Sequence, residues 1–182
     1  MEGIIETDIR AKAVEQYKVL SAVHFGLGFL LLFFASYTAM NIHGEGNGTF
    51  PYYLASVISS IGIIIVSIIG VAIYDRGQHE CGAELVPLVK PLLKVHFVIS
   101  LLVTVTFVAG CILTIVYGLC PSNTCSYSTN YTFNYGMSAF LLGLQVLSMS
   151  TSILSIIMFR HYRKHFVVHP KFASHVEFEN DM

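Results

Sequence analysis

The residues of this chain best suited to metal binding, disulfide formation or thiol chemistry are its eight histidines and four cysteines. Cys120 and Cys125 enclose a turn-prone Pro-Ser-Asn-Thr segment, a spacing that closes a small hairpin. In an oxidising compartment the expected product is a structural disulfide. A catalytic thiol pair is the sharper alternative, but such enzymes use C-x-x-C, and this chain has none. Cys81 lies just beyond an apolar run, where S-acylation competes with a free thiol. Cys111 falls inside an apolar run and reads as a small packing residue. His161, His165 and His169 recur every fourth residue and would share one helix face. Such a stripe can ligate metal, but interleaved with Arg160, Arg163 and Lys164 it fits lipid headgroups better. His24 and His96 stand near the same end of two different apolar runs. Paired imidazoles can hold haem. Electron transfer across a membrane would need a second pair at the far end, where His43 stands alone. Hydrogen bonding to neighbouring helices or headgroups is therefore the expected role of both.

The elements that carry these residues are four long apolar runs, at about 19–42, 52–74, 92–119 and 135–159, free of Asp, Glu, Lys and Arg except for Lys94 at the border of the third. Each can cross a hydrocarbon core of ~30 Å at ~1.5 Å per helical residue. The chain is 54% hydrophobic and 12% charged, against ~25% charged in soluble domains. All ten Lys and Arg lie before the first run, between the second and third, or after the fourth. The two remaining loops carry the sequons Asn47-Gly-Thr49 and Asn130-Tyr-Thr132 instead. Positive charge stays on the cytoplasmic side and glycan is added on the luminal side. Both signals give an all-α integral membrane protein, a four-transmembrane-helix bundle with cytoplasmic N and C termini.

No cleavable leader is expected, and the first span should serve as its own signal. The ten Tyr cluster near span ends as an aromatic belt, and the five Pro lie at or beyond them. Residues 1–18 read as an amphipathic cytoplasmic segment, either an interfacial helix or an extension of span one. The bundle proper is 19–159. Residues 160–182 form a basic-then-acidic tail, expected to be helical to about His169.

Small residues recur along the spans, as in Ala22-x-x-x-Gly26 with Gly28, and Ser56-x-x-x-Ser60. Span four holds Gly143, Gln145, Ser148, Ser152 and Ser155. Close backbone approach and hydroxyl hydrogen bonds hold helices together in lipid. Two readings stay open for span four: packing within its own bundle, or a face for a partner helix. Past Lys94 at the border of the third, the spans contain no ionised group or internal proline, which argues against a transporter, a proton relay or an enzyme.

Val19-Leu-Ser-Ala-Val-His24-Phe-Gly-Leu-Gly28 opening span one, and Phe50-Pro51-Tyr52 opening span two, resemble the membrane-spanning four-domains subfamily A, the B-cell-antigen-like tetraspans. A small first outer loop and two cysteines in a longer second loop fit too, over about residues 17–160. The chain departs from that pattern at Tyr52-Tyr53-Leu-Ala-Ser, where the family has a Trp and Gly-rich start. The resemblance implies a non-enzymatic plasma-membrane protein, reached through the secretory pathway, that associates with itself or with receptors and channels.

The resulting expectation is an auxiliary subunit acting by lateral association. Gly143, Gln145, Ser148, Ser152 and Ser155 would form the partner-helix face, with Arg160, His161, Arg163 and Lys164 on anionic inner-leaflet lipids. No cofactor and no nucleic-acid partner is expected. The alternatives are a homo-oligomeric channel with an intersubunit pore, and a protein that binds lipid or sterol.

Overall fold

A computed structural model describes residues 2–43, 52–79, 85–119 and 131–166, with side chains at 9–41, 52–77, 89–119 and 135–165. Cys81, Cys120, Cys125, Asn47, Asn130 and His169 lie outside the described residues, as does most of the tail. Leucine, isoleucine, valine and alanine runs without an internal breaker make long helices, and four form: α1 (Glu2–His43), α2 (Tyr53–His79), α3 (Leu85–Leu113) and α4 (Tyr131–Tyr162). Each is long and apolar enough to cross a membrane. Each helix packs on its neighbours in sequence, and α4 closes the ring against α1.

Burial follows a seven-residue period. In α3 the buried positions are Val89, Leu93, His96, Ser100, Val103, Phe107, Gly110 and Thr114. Their alternating spacing of four and three keeps one stripe inward along the whole helix. In α4 the same spacing buries Ser138, Leu141, Gln145, Ser148, Ser152 and Ser155. The outer surface is apolar, with Phe29, Ile58, Ile68, Leu102, Val105 and Ile157 all more than half exposed. Hydroxyls and imidazoles share the interior with apolar side chains. A water-soluble bundle keeps its exterior polar instead.

Two apolar clusters sit at different heights. Ala13, Val14, Tyr17, Leu20, Ile73, Val89, Leu93, Met158 and Tyr162 fill the end where the chain begins and α4 finishes. Leu31, Ala35, Ile63, Val66, Val103, Phe107 and Leu141 fill a second cluster further along.

The structure bears on three sequence expectations. First, residues 1–18 continue into span one, since α1 runs unbroken from Glu2 and buries Ala13, Val14 and Tyr17 in the first cluster. Polar contacts fix it there. Lys18 Nζ donates to Tyr74 Oη at 3.1 Å, Tyr162 Oη donates to Gln16 Oε1 at 2.8 Å, and Arg10 Nε donates to the His165 carbonyl at 2.6 Å. Second, Pro91 lies inside α3, which starts at Leu85 rather than near residue 92. A proline so near a helix start loses one backbone hydrogen bond, and here its ring is exposed. Third, α4 ends at Tyr162 and tightens into a 3-10 turn, Arg163–Phe166, so the four-residue histidine stripe is not carried on continuous α-helix.

Candidate functional site

The inward stripe of α4 carries the most polar side chains of the bundle core. Gln145, Ser148, Ser152 and Ser155 are each fully buried against the other helices of the same chain. They therefore cannot be the partner-helix face expected of them, and of that set only Gly143 is exposed. The period explains the outcome: 145, 148, 152 and 155 step by three, four and three, which defines one face of a helix, while 143 falls off it.

Gln145 organises the polar contacts toward the end that carries the 44–51 and 120–130 connections. Its Nε2 donates to Ser56 Oγ on α2, and its Oε1 accepts from Thr114 Oγ1 at 3.3 Å. Thr114 opens a π-helical turn (Thr114–Gly118) that extends α3, closed by Leu119 N–H on the Thr114 carbonyl at 3.0 Å. Gly110 makes room for the amide, since a Cβ there would lie 3.3 Å from Gln145 Nε2. One turn further, Tyr52 Oη and Ser138 Oγ share a hydrogen bond of 2.7 Å. Three helices are thus joined through one side chain. Gln145→Leu is expected to cost about 1 kcal/mol, because the freed Ser and Thr hydroxyls can turn back to their own helices. Thermal unfolding in detergent measures it.

Between the two apolar clusters lies a second polar group: Ser21 and His24 on α1, Ser67 on α2, His96 and Ser100 on α3, and Ser152 on α4. Ser67 Oγ donates across to the Ser21 carbonyl at 2.8 Å, and Ser21 Oγ donates to the Tyr17 carbonyl at 2.6 Å. Gly70 allows this approach, because a Cβ would run into Ser21 Oγ. Tyr17 meets His96 edge-on, with ring centroids 5.1 Å apart. Both imidazoles are buried in the bundle interior, His24 on α1 and His96 on α3. The hydrogen bonds expected of both histidines are incomplete. Neither nitrogen of His24 has a partner, nor does Nδ1 of His96. The Thr151 backbone lies beside His24 at a geometry short of a hydrogen bond.

The expected headgroup residues sit at the bundle end. Arg160, His161, Arg163 and Lys164 are all exposed there. His161 packs edge-on to Tyr162 at 4.8 Å between centroids. Among the described residues no group of three or more His, Cys, Asp or Glu converges on a metal site.

The outer surface carries a feature that residue type alone does not sort. Gly26 on α1 and Gly136 and Gly143 on α4 face outward, with no atom of the described residues within 4 Å of where a Cβ would sit. Ala22 and Ala139 are exposed on the same helices. Ala22 and Gly26 thus form an outward notch one turn long, and Gly136, Ala139 and Gly143 form a shallow groove two turns long. Gly28, two residues beyond Gly26, does the opposite. It is buried, and a Cβ on it would press on Ile63 and Ile64 of α2 at 2.8 and 2.7 Å. No family model matches this chain, and no curated protein or solved structure matches it either.

Proposed function

We propose that this chain is a non-enzymatic, multi-pass membrane protein that acts by lateral association, as an auxiliary subunit in a larger receptor or channel assembly. Both termini are cytoplasmic in this reading. The observation that carries it is the open space at Gly26, Gly136 and Gly143 on an otherwise bulky apolar exterior. Lipid tails fill a smooth surface as well as a protein does. A notch of Gly and Ala instead lets a second helix backbone approach closely and gain dispersion contacts.

Charge placement supports the orientation. The Lys and Arg residues group at the end shared by the chain termini and the 75–94 connection, and the sequons fall in the other two connections. Arg160, His161, Arg163 and Lys164 would then meet anionic headgroups of the inner leaflet. Lateral association is favoured over an intersubunit pore because the buried polar residues of α4 face their own bundle, and the exposed Ser150 donates back to the Val146 carbonyl at 2.9 Å. A resident plasma-membrane location and the resemblance to the B-cell-antigen-like tetraspans accord with this function.

Purification from native membranes in a mild detergent tests it. The expected result is a complex of defined stoichiometry, with a second integral membrane protein or further copies of this chain. Recovery as a lone monomer contradicts the proposal.

A further inference from the structure

The bundle interior holds buried polar atoms with no hydrogen-bond partner among the described residues. At the level of the two imidazoles they are Tyr17 Oη, both nitrogens of His24, His96 Nδ1, and the hydroxyls of Ser100 and Ser152; the hydroxyls of Ser59 and Ser148 are unpaired as well. Each of these residues is at most 1% exposed. Other hydroxyls in the same helices satisfy themselves in the usual way, by donating back to a carbonyl three or four residues earlier. Ser21, Ser60, Thr104, Thr151 and Ser155 all do so. Ser100, Ser148 and Ser152 do not, and they come from α3 and α4 onto the same interior as the two imidazoles of α1 and α3.

The serine hydroxyls can turn back to their own helices, but Tyr17 Oη, the His24 nitrogens and His96 Nδ1 cannot, and leaving these unpaired in a dry interior would cost about 1–3 kcal/mol apiece. The sum would rival the stability of a whole domain, of order 5–15 kcal/mol. Something must fill their hydrogen bonds. The composition of the lining restricts what it is. Among the described residues no Asp, Glu, Lys or Arg is buried anywhere in the bundle, so the site offers no countercharge. A divalent cation would sit there unneutralised, at a large desolvation cost. Every lining group is uncharged in its neutral form, and hydroxyls and imidazoles both donate and accept. The matching occupant is small, uncharged and able to do both.

We infer that Tyr17, His24, His96, Ser100 and Ser152 line an occluded, hydrated chamber that binds a small cluster of water molecules. At about three hydrogen bonds per buried water, the orphaned atoms call for roughly two or three of them. The water cluster completes the polar link between α1, α3 and α4 that protein contacts leave open. It does for this level of the bundle what Gln145 does for the other.

Water-edited solid-state NMR on the full chain in lipid bilayers tests the inference, with nitrogen-labelled histidine and carbon-labelled leucine and valine. Polarisation from water is expected to reach the ring nitrogens of His24 and His96 as fast as those of exposed His161. Leu31 and Val103, in the second apolar cluster, serve as the dry reference. Build-up at His24 and His96 as slow as at Leu31 overturns the chamber. This arm uses the wild-type protein, so no variant has to fold. In a second arm, Ser152→Leu fills the space and is expected to abolish the fast transfer at His24, with the helical signals unchanged. Fast transfer surviving in a folded Ser152→Leu protein would mean that water reaches the ring by another route, and would overturn the assigned lining. Native mass spectrometry distinguishes the remaining source: a bound organic molecule retained at one per chain overturns water as the occupant.

Discussion

Replacing Gly28 by isoleucine is expected to force α1 away from α2 and destabilise the bundle by about 1–3 kcal/mol, the usual cost of overpacking a tight interior. A Cβ at Gly28 already meets Ile63 Cγ2 at 2.8 Å and Ile64 Cγ1 at 2.7 Å, and the Ser60 carbonyl at 3.3 Å. The isoleucine side chains have some freedom to move, but the backbone carbonyl has none. The matched control is Gly26→Ile, two residues away on the same helix, where a Cβ meets nothing within 4 Å. It replaces a glycine of low helix propensity by a better helix former, so stability should hold or rise slightly. Thermal or denaturant unfolding in detergent separates the pair. Equal loss in both variants would show that α1 is not oriented as described.

The second large effect separates the inner face of α4 from its outer face. Ser148→Leu with Ser152→Leu places two bulky side chains where both serines are completely buried. A single leucine at 152 takes the room of the buried waters, but two leucines add more bulk than those waters vacate, so the double variant should be destabilised by about 1–3 kcal/mol. Gly136→Leu with Gly143→Leu adds the same bulk where the surface is open, so the monomer should keep its fold. What it should lose is the partner. Helix–helix contacts in membranes contribute about 1–2 kcal/mol each, so the affinity should fall on the order of tenfold or more.

Much of this was legible in the sequence, and for identifiable reasons. Runs of apolar residues almost without Asp, Glu, Lys or Arg give the four helices directly, since length and composition alone decide whether a helix can cross a membrane. The stripe on α4 was legible, but its direction was not. Ser138, Leu141, Gln145, Ser148, Ser152 and Ser155 step by three and four, which places them on a single face, and the sequence left open whether that face packs in its own bundle or meets a partner. What no spacing shows is which way a stripe of small residues points when both sides of a helix are apolar. Gly26 and Gly28 differ by two positions, about 200° of helical turn, and residue type does not say which is inside. Their orientation comes from α2, whose Ile63, Ile64 and Ser60 take up the space beside Gly28.

The extension of α1 back to Glu2 has a similar cause. Ile9, Ala13 and Val14 look like an independent amphipathic lead-in, but Val14 and Tyr17 continue the stripe that Ser21 and His24 extend inward. Val14 also closes on Gly77 of α2, where a Cβ would lie 2.6 Å from its Cγ2. The unpaired state of His24 and His96 depends on four helices meeting at one height. A sequence read span by span cannot give that height, because it depends on how far each helix slides against its neighbours.

The most direct measurement is quantitative co-purification of the Gly136→Leu/Gly143→Leu protein from native membranes, beside wild type, with the thermal unfolding of each recorded. Lateral association through the open face of α4 predicts an unchanged unfolding midpoint and a partner reduced to a small fraction of the wild-type amount. A partner recovered undiminished with a folded double variant would contradict it.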